Sequence, residues 1–486
     1  MKAVVVLFDS LNRRALKTYN KNSFVKADNI CDFASDGLIF DNHYIGSTPC
    51  MPARRDLLTG RLNFLERAWG PIEPYDITMP SILRDNGITT NMVTDHYHYW
   101  ELGGDGYCQQ FETFQMIRGQ EVDPWVSDAK ALELPDHKGL LKPQYAKNCR
   151  RFVDEASYST PRTFQEAIDW VEENKGVDDF LLWVESFDPH EPFDCPQEFL
   201  DIYDDYYDGP LFNWPFYGRG VDCSEKELNH IQKCYSATIS MADKWFGKFI
   251  NKLKEYGMYE DTLIIVTADH GYLLGEHGLM AKNMTPQYNE LANIPLFIHV
   301  PNNNQKGRRI NALTQTIDIM PTILDYFNCS IPKTVTGHSM KTLIEGKSDT
   351  IRSYALFGRF ADAVNITNGE YVYMRAAKNP DNQPIHEYGA VPIKLRRYVP
   401  MEFSASIEFG RFLKWTDFPV FKFPASNPEK NFSFVPDSHL FKSSDYEQEE
   451  DLIGSNVEKD MEKLLISAMR QEGSPDEQFV RLGLEG

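Results

Sequence analysis

The chain has 486 residues, of which 50 are Lys or Arg and 71 are Asp or Glu, so its formal net charge at pH 7 is −21. Hydrophobic residues make up 42% of the chain and aromatic residues 13%, which is enough apolar surface for a folded core and excludes general disorder. A charge this negative argues against nucleic acid or an anionic membrane surface as the main partner. An anionic substrate needs a local metal ion or basic cluster, because the overall field repels it.

The first apolar run, Ala3–Phe8, ends at Asp9. It is too short for the hydrophobic region of a signal peptide and lacks a small-residue cleavage site, so it predicts a buried strand. No run in the sequence approaches the roughly 18 apolar residues of a membrane span. We therefore expect a cytoplasmic protein that has no membrane partner. The 8 cysteines show no CxxC pairing, which indicates reduced thiols.

Strand-like runs alternate with helical patterns, which predicts an α/β fold with a large, mainly parallel sheet flanked by helices. The predicted strands are Ala3–Phe8, Ile88–Thr94, Phe180–Phe187, Thr262–Ala268 and Ile294–Val300. Ligands of such sheets bind beyond the carboxyl ends of the strands. Acid and imidazole side chains follow four of these strands, at Asp9, Asp95-His96, Asp188 with His190, and Asp269-His270. We therefore expect these side chains to share one edge of the sheet.

Three helices are predicted with clear boundaries in the first part of the chain. A capping box at Ser224–Glu227 begins a long helix with apolar residues at core spacing. Another helix begins near Pro161. A third covers Thr316–Phe327, where Pro321 predicts a kink or a restart.

The pattern changes after about residue 350. Asn368-Gly369 joins two alternating runs, which predicts a β-hairpin, and an amphipathic helix begins at Ser455. The sequence therefore predicts two domains. Residues 1–350 form a large α/β domain that carries the chemistry, and residues 351–486 form a smaller antiparallel β domain with a terminal helix.

The most specific local signal is Cys50-Met51-Pro52-Ala53-Arg54, followed by Leu58-Thr59-Gly60-Arg61. Pro52 suits the first turn of a helix, so we expect Cys50 at the helix N-terminus. The free amides and positive dipole end there favour an anion, a thiolate or a reacting oxyanion. Arg54, one helical turn further on, can reach the same point. A buried structural thiol is the commoner explanation for a Cys alone, but the whole pattern favours a functional one.

This pattern resembles the signature of the sulfatase family, within the alkaline phosphatase superfamily. The resemblance continues through residues 1–330, at Thr267-Ala268-Asp269-His270-Gly271, Gly275-Glu276-His277-Gly278, Lys282 and Thr316–Leu324. It implies that a formylglycine-generating or anaerobic sulfatase-maturating enzyme oxidises Cys50 to Cα-formylglycine. It also implies hydrolysis of a sulfate ester, in which one hydroxyl of the hydrated aldehyde attacks sulfur and the second expels sulfate as the aldehyde re-forms.

A divalent metal site is predicted from Asp9, Cys50, Asp269 and His270, because a cation polarises the transferred group and lowers the pKa of the nucleophile. Many sulfatases have two consecutive acids after the first strand and an Asp-Asn pair later. Here Ser10 follows Asp9, and His270 follows Asp269. The candidate ions are Mn²⁺, Zn²⁺ and Ca²⁺. Two carboxylates and an imidazole shift the expectation from Ca²⁺ toward a transition ion, Mn²⁺, Zn²⁺ or Fe²⁺. The same departures resemble the phosphonate monoester hydrolase branch.

The resemblance assigns roles to two further residues. His190 matches a His that contacts the scissile oxygen or protonates the leaving group, and Lys282 matches a Lys that binds a non-bridging oxygen. A leaving alkoxide needs a proton from a group that titrates near neutrality, and the developing charge needs a fixed cation. With Cys50 and Arg54, these residues complete the predicted catalytic set.

The polar and aromatic cluster Asp95-His96-Tyr97-His98-Tyr99-Trp100 follows the second predicted strand. Its position at the same sheet edge makes Asp95, His96 and His98 candidates for substrate binding. Another metal site or simple packing explains the cluster equally well.

Three functions follow from these observations. The first is a formylglycine-dependent and metal-dependent sulfuric ester hydrolase that acts on a sugar or aryl sulfate. The second uses the same residues on a phosphonate monoester or phosphodiester. The third is a non-catalytic protein whose unmodified Cys50 contributes to anion or metal binding. A homo-oligomer is compatible with the sequence.

Overall fold

Strands and helices alternate along the chain in this computed structural model, which describes residues 1–130, 132–219, 222–283, 286–302, 305–394, 396–425 and 437–484. The strands are β1 (Lys2–Phe8), β2 (Leu38–Tyr44), β3 (Ser47–Thr48), β4 (Thr89–Thr94), β5 (Thr113–Met116), β6 (Phe180–Ser186), β7 (Gly218–Arg219), β8 (Thr262–Ala268), β9 (Leu273–Leu274), β10 (Leu279–Ala281), β11 (Leu296–His299), β12 (Arg309–Gln315), β13 (Ala355–Arg359), β14 (Val364–Thr367), β15 (Tyr371–Arg375), β16 (His386–Gly389), β17 (Ile393–Lys394), β18 (Arg397–Tyr398), β19 (Glu408–Gly410), β20 (Val420–Pro424) and β21 (His439–Lys442). The α-helices are α1 (Asp28–Asp36), α2 (Cys50–Thr59), α3 (Met79–Asp85), α4 (Pro143–Cys149), α5 (Ser159–Glu173), α6 (Gln197–Asp201), α7 (Glu225–Glu255), α8 (Asn289–Ala292), α9 (Ile319–Tyr326), α10 (Lys341–Ile344), α11 (Asn456–Gln471) and α12 (Asp476–Leu482). Short 3₁₀ helices lie at Arg13–Ala15, Tyr97–Trp100, Cys108–Gln110, Glu155–Ser157, Tyr259–Asp261, Glu276–Gly278, Thr316–Asp318 and Met401–Ser406.

Eight strands form one large sheet in the order β12-β2-β11-β8-β1-β6-β4-β5. Neighbouring strands run parallel except at β11, which is antiparallel to both β2 and β8. The predicted mainly parallel sheet is confirmed, and all five predicted strands belong to it. Strands β2, β5 and β12 were not predicted. In β2 the polar pair Asp41-Asn42 interrupts the apolar run, and β5 has only 4 residues.

The central strand β1 is buried on both faces of the sheet. Its residues Val4, Val6 and Phe8 pack in one core with α5 and α7. The alternate residues Ala3, Val5 and Leu7 pack in a second core with α2, α3 and α9. Successive side chains of a strand point to opposite faces, so a strand covered on both sides is an unbroken apolar run.

The predicted helices are present with small changes at their ends. The long helix α7 begins after Ser224, whose side chain and that of Glu227 form the expected capping box. The segment predicted over Thr316–Phe327 is a 3₁₀ helix followed by α9, so Pro321 lies in the first turn of α9 and the expected kink is a restart. None of the helices in the described ranges is both long and apolar enough to cross a membrane.

The C-terminal part forms a five-stranded sheet in the order β21-β15-β14-β13-β3. The hairpin predicted at Asn368-Gly369 is confirmed by the antiparallel pair β14 and β15. Helix α11 packs on this sheet through Met461 and Leu465. The edge strand β3 immediately precedes Pro49 and Cys50, and it pairs in parallel with β13. The C-terminal sheet therefore holds the segment that leads into α2.

Candidate active site

The polar residues that follow four strands lie at one edge of the sheet, as the sequence predicts. Strands β8, β1, β6 and β4 are consecutive neighbours and all run parallel. Their carboxyl ends therefore bring Asp269-His270, Asp9, Asp188 with His190, and Asp95-His96 next to one another. Helix α2 places Cys50 at the same edge.

Four buried side chains form a compact group of metal-ligating atoms. Asp9, Cys50, Asp269 and His270 each offer one ligand atom, and these atoms lie within 4.8 Å of one another. Cys50 Sγ is 3.4 Å from His270 Nε2 and 3.8 Å from Asp9 Oδ1. His270 Nδ1 is 2.9 Å from the Gly271 carbonyl oxygen, so Nδ1–H donates there and the lone pair of Nε2 faces the group. Asp9 Oδ2 accepts no hydrogen bond, and the donor set fits a divalent transition-metal ion.

The Arg54 guanidinium lies between the buried carboxylates of this group. Nη1 is 2.7 Å from Asp269 Oδ2, and Nη2 is 3.1 Å from Asp9 Oδ2. Nη1 also donates to the Cys50 carbonyl oxygen, and Nε is 3.5 Å from Glu185 Oε1. Burial, which raises the pKa of the Asp9 carboxyl, is outweighed by neighbouring cations, Arg54 among them, so this pKa lies well below its usual range. Arg54 thus donates a hydrogen bond to the backbone carbonyl of Cys50 and forms an ion pair with Asp269.

The Cys50 thiol is not activated by its position at the start of α2. Burial and the negative charge of Asp9 raise the pKa of this thiol well above its usual value. The thiol is therefore protonated near neutral pH, and a protonated thiol is a weak nucleophile. The sequence predicts an anion, a thiolate or a reacting oxyanion at the start of α2. The raised pKa of Cys50 argues against the reactive thiolate.

Asp56 fixes the chain on both sides of α2, and the sequence did not single it out. Its carboxylate accepts hydrogen bonds from the backbone N–H of Ser47 at 2.5 Å and from the Ser47 hydroxyl at 2.9 Å. It also accepts from the Asn63 backbone at 3.1 Å and from the Asn63 side chain at 2.6 Å. Burial raises the pKa of Asp56 to about 7. These bonds hold the segment before Cys50 against the segment after the helix.

Lys282 provides a buried cation next to the metal-ligating group. Its Nζ lies 3.1 Å from Ser10 Oγ, 3.1 Å from Glu191 Oε2 and 3.9 Å from Asp9 Oδ1. Burial, which lowers the pKa of Lys282, is outweighed by the facing Cys50, Glu191 and Asp9 groups, so this pKa is raised. The ammonium group therefore keeps its charge, as a group that binds a developing anion requires.

His190 lies near the same Glu191 oxygen as Lys282, with its Nδ1 3.5 Å from Glu191 Oε2. Its Nδ1 donates to the Glu191 carbonyl oxygen, and its ring stacks on Phe187 with the centroids 4.0 Å apart. Burial and the charge of Lys282 lower the pKa of His190 well below its usual value. The ring is therefore neutral, with an unprotonated Nε2. To protonate a leaving group, His190 needs a proton that arrives with or after the anionic substrate.

The three predicted substrate-binding residues separate in the structure. The Asp95 oxygens accept from Phe187 N at 2.7 Å, Gln120 Nε2 at 2.9 Å and Thr160 Oγ1 at 3.2 Å, so Asp95 lies beneath the loop that carries His190. His96 Nε2 is 3.4 Å from Asp9 Oδ2.

The remaining residue of the three, His98, faces His190, with ring centroids 6.5 Å apart. For His96, beside Asp9, burial and the charge of Arg54 lower the pKa to about 3, so the His96 ring is neutral, as the His190 ring is. Of the three residues, His98 has a ring contact with His190, a member of the predicted catalytic set.

Comparisons with known proteins identify the family and the fold. A family model described as Sulfatase matches residues 2–329. The chain is 26% identical over 390 residues to an arylsulfatase of Clostridium perfringens, an alignment that covers 72% of this chain and 80% of that protein. A solved structure titled as bound to its substrate D-glucosamine-2-N,6-O-disulfate superposes with a TM-score of 0.68 at 16% identity, covering 98% of this chain and 99% of the other. A phosphonate monoester hydrolase of Agrobacterium radiobacter gives a TM-score of 0.68 at 17% identity, covering 97% and 96% of the two chains.

Proposed function

Because the chain belongs to the sulfatase family, we propose that it is a metal-dependent sulfuric ester hydrolase whose nucleophile is formylglycine made from Cys50. The observation that carries the proposal is the meeting of Cys50 with Asp9, Asp269 and His270 at the start of α2, with the charged Lys282 beside them. A protonated, buried thiol is a poor nucleophile, which explains the need for a chemical conversion at this position. A maturation enzyme is the partner that the conversion requires.

Asp9, Asp269, His270 and residue 50 would hold one divalent ion. Such an ion polarises an oxygen of the transferred group and favours the ionised form of the nucleophile. Arg54 keeps the two carboxylates in place and balances their charge. The ammonium of Lys282 binds a non-bridging oxygen of the ester, where negative charge grows in the transition state.

The leaving group is placed on the side of His190. The Nε2 atom of His190 is unprotonated before substrate binds, because the single ring proton is on Nδ1, which donates to the Glu191 carbonyl oxygen. The negative charge of the incoming ester favours the protonated imidazole, and the proton then passes from Nε2 to the departing oxygen. The expected substrates are sugar or aryl sulfates, since Trp69 and Tyr97 border His98 on this side with ring centroids 4.9 Å and 4.1 Å from it.

A phosphonate monoester or phosphodiester hydrolase is the second candidate. Two carboxylates and one imidazole, from Asp9, Asp269 and His270, are the donor set that resembles the phosphonate monoester hydrolase branch. The structural likeness to a phosphonate monoester hydrolase supports the same fold for both candidates. Paired hydrolysis rates on 4-nitrophenyl sulfate and 4-nitrophenyl phenylphosphonate decide between them, and we expect the sulfate to give the higher kcat/KM.

The decisive experiment is a mass spectrum of protein produced together with a maturation enzyme. Trypsin cleaves after Lys26 and Arg54, so the peptide of interest contains both Cys31 and Cys50 and fragmentation must locate the change. We expect an aldehyde at residue 50, an intact thiol at residue 31, and sulfate release that Cys50→Ala abolishes. A thiol at residue 50 despite a maturation enzyme that converts a control sulfatase would contradict the proposal and favour a non-catalytic anion-binding or metal-binding protein.

A further inference from the structure

A second group of metal-ligating side chains lies beside the first, and no step proposed above uses it as a group. We propose that His98, Glu121 and His190 bind a second divalent metal ion, separate from the ion of Asp9, Asp269 and His270. The proposal concerns ion binding and does not depend on which ester the protein hydrolyses.

The three side chains converge in the interior of the protein. One ligand atom of each lies within 4.8 Å of the other two, and all three residues are buried. His98 Nε2 is 3.8 Å from Glu121 Oε2, with side-chain exposures of 3% and 7%. The separation between His98 Nε2 and Glu121 Oε2 exceeds hydrogen-bond distance, so a shared proton does not join these two atoms. A central ion with bonds of about 2.0–2.2 Å can bind all three ligand atoms after small side-chain shifts.

The hydrogen bonds of the two imidazoles fix which nitrogen faces the centre. His98 Nδ1 is 2.6 Å from Glu101 Oε2, and His190 Nδ1 donates to the Glu191 carbonyl oxygen. Arg396 Nη2 is 3.3 Å from the same His98 nitrogen, but the closer carboxylate identifies Nδ1 as the proton carrier. Both Nε2 atoms therefore present lone pairs toward Glu121. Imidazoles oriented by a carboxylate or carbonyl on the far nitrogen are the usual arrangement of metal-binding histidines.

Three electron-pair donors facing one another in a buried space repel one another unless a cation lies between them. The nearby cations each have another partner, and the buried ammonium of Lys282 is 3.1 Å from Glu191 Oε2. Arg396 Nε is 2.9 Å from Glu101 Oε2, which pairs its charge. Lys142 Nζ is 3.6 Å from Glu121 Oε1, not from the Oε2 that faces His98, and it also lies 4.8 Å from the centroid of the Trp214 ring. The Tyr97 hydroxyl donates to Glu121 Oε2 at 2.9 Å and stabilises the carboxylate.

Two imidazole nitrogens and one carboxylate oxygen favour Zn²⁺ among the common ions, with Mn²⁺ and Fe²⁺ next. Three protein ligands leave at least one position for an oxygen atom from outside the protein. An ion here would stabilise the departing oxygen by its charge. The proton transfer from His190 Nε2 proposed above applies to the protein without this ion, because the ion occupies that nitrogen.

Zinc stoichiometry tests the proposal directly. The metal-free protein is equilibrated with excess Zn²⁺, passed through a desalting column and measured by inductively coupled plasma mass spectrometry. We expect two ions per chain in the wild type and one in Glu121→Gln, in His98→Ala and in Asp269→Asn. The double variant Asp269→Asn with Glu121→Gln should bind none. His137→Ala, which removes an exposed histidine outside both groups, should keep two.

One ion per chain in the wild type, or two in folded Glu121→Gln, would overturn the proposal. Circular dichroism checks that each variant is folded. If the Glu121 and His98 variants do not fold, X-ray absorption of zinc-loaded Asp269→Asn decides instead, because the second group gives two imidazole ligands and one carboxylate. A zinc signal without two imidazoles would refute the assignment. Sulfate release is assayed separately, because an absence of turnover in protein that binds two ions would contradict the proposed function and still support the second ion.

Discussion

Arg54 Nη1 lies 2.7 Å from Asp269 Oδ2, although 215 positions separate the two residues in the chain. The same guanidinium is 3.1 Å from Asp9 Oδ2, so one side chain of α2 joins the ends of the neighbouring strands β1 and β8. The contact ties the helix that begins with Cys50 to the two carboxylates of the metal-ligating group. Arg54 is therefore a structural as well as an electrostatic part of the site.

Replacing Arg54 should destabilise the metal-free protein strongly. Arg54→Met keeps the length of the side chain but leaves buried carboxylates without their cation, which costs about 3–5 kcal/mol. Chemical denaturation of the metal-free protein measures the change. The matched control is Arg14→Met, because Arg14 is paired with Glu447 at the surface and such pairs contribute about 0–1 kcal/mol. Equal effects of the two substitutions would show that the buried network is not stabilising.

Metal replacement should favour transition ions over Ca²⁺. We expect Mn²⁺ or Zn²⁺, and not Ca²⁺, to restore hydrolysis after chelation, because an imidazole is one of the ligands. The variant His270→Asn replaces that imidazole by an amide oxygen and should shift the preference toward Ca²⁺. Rates with each ion over a concentration series measure the shift. Full recovery of the wild type with Ca²⁺ alone would refute this expectation.

His190→Ala should reduce activity most on esters with poor leaving groups. An alkoxide departs slowly without a stabilising group, whereas 4-nitrophenolate needs little help. We expect the loss in kcat/KM to be at least about 10-fold larger for an alkyl sulfate than for 4-nitrophenyl sulfate. Lys282→Ala is the control, because a cation on non-bridging oxygens affects both substrates alike. Equal losses in His190→Ala would exclude a role for His190 at the leaving group.

Asp95→Asn should change the pH dependence of stability while leaving hydrolysis largely intact. Burial raises the pKa of Asp95 to about 7, so the folded protein binds this proton more tightly than the unfolded chain does. The protonated Asp95 carboxyl stabilises the fold fully below about pH 3.8. This contribution to the free energy of unfolding decreases as the pH rises toward about 7, by up to about 1.4 kcal/mol per pH unit. Asn removes this titration.

Denaturation midpoints of the wild type and Asp95→Asn at pH 5 and pH 8 measure the effect. The wild type should lose more stability than the variant over this interval. The kcat/KM of the variant should stay within about 3-fold of the wild type if Asp95 supports the loop of His190 from beneath. A loss of 100-fold or more with unchanged stability would instead place Asp95 in contact with substrate.

Local patterns in the sequence are enough to predict the core of the sheet and the start of α2. The run Ala3–Phe8 is unbroken and apolar because both faces of β1 are covered, and it ends before Asp9 at the ligand-binding edge. Pro52 and the capping box at Ser224 mark helix starts through short-range chemistry. Edge strand β5 and the interrupted strand β2 were missed because their apolar pattern is short or broken.

Tertiary structure alone decided which polar residues join the predicted group of Asp9, Cys50, Asp269 and His270 at this edge. Glu121 lies in an irregular segment with no recognisable motif, yet the fold places it against His98 and His190. Glu191 contacts Lys282, and Asp56 contacts Ser47 before α2. Asp95, a substrate-binding candidate in the sequence, accepts a hydrogen bond from the backbone of Phe187 beneath the loop of His190. Residue type and spacing determine which strands and helices form, and hence which edge carries the chemistry. The direction of each side chain at that edge depends on packing between segments far apart in sequence, which no local pattern encodes.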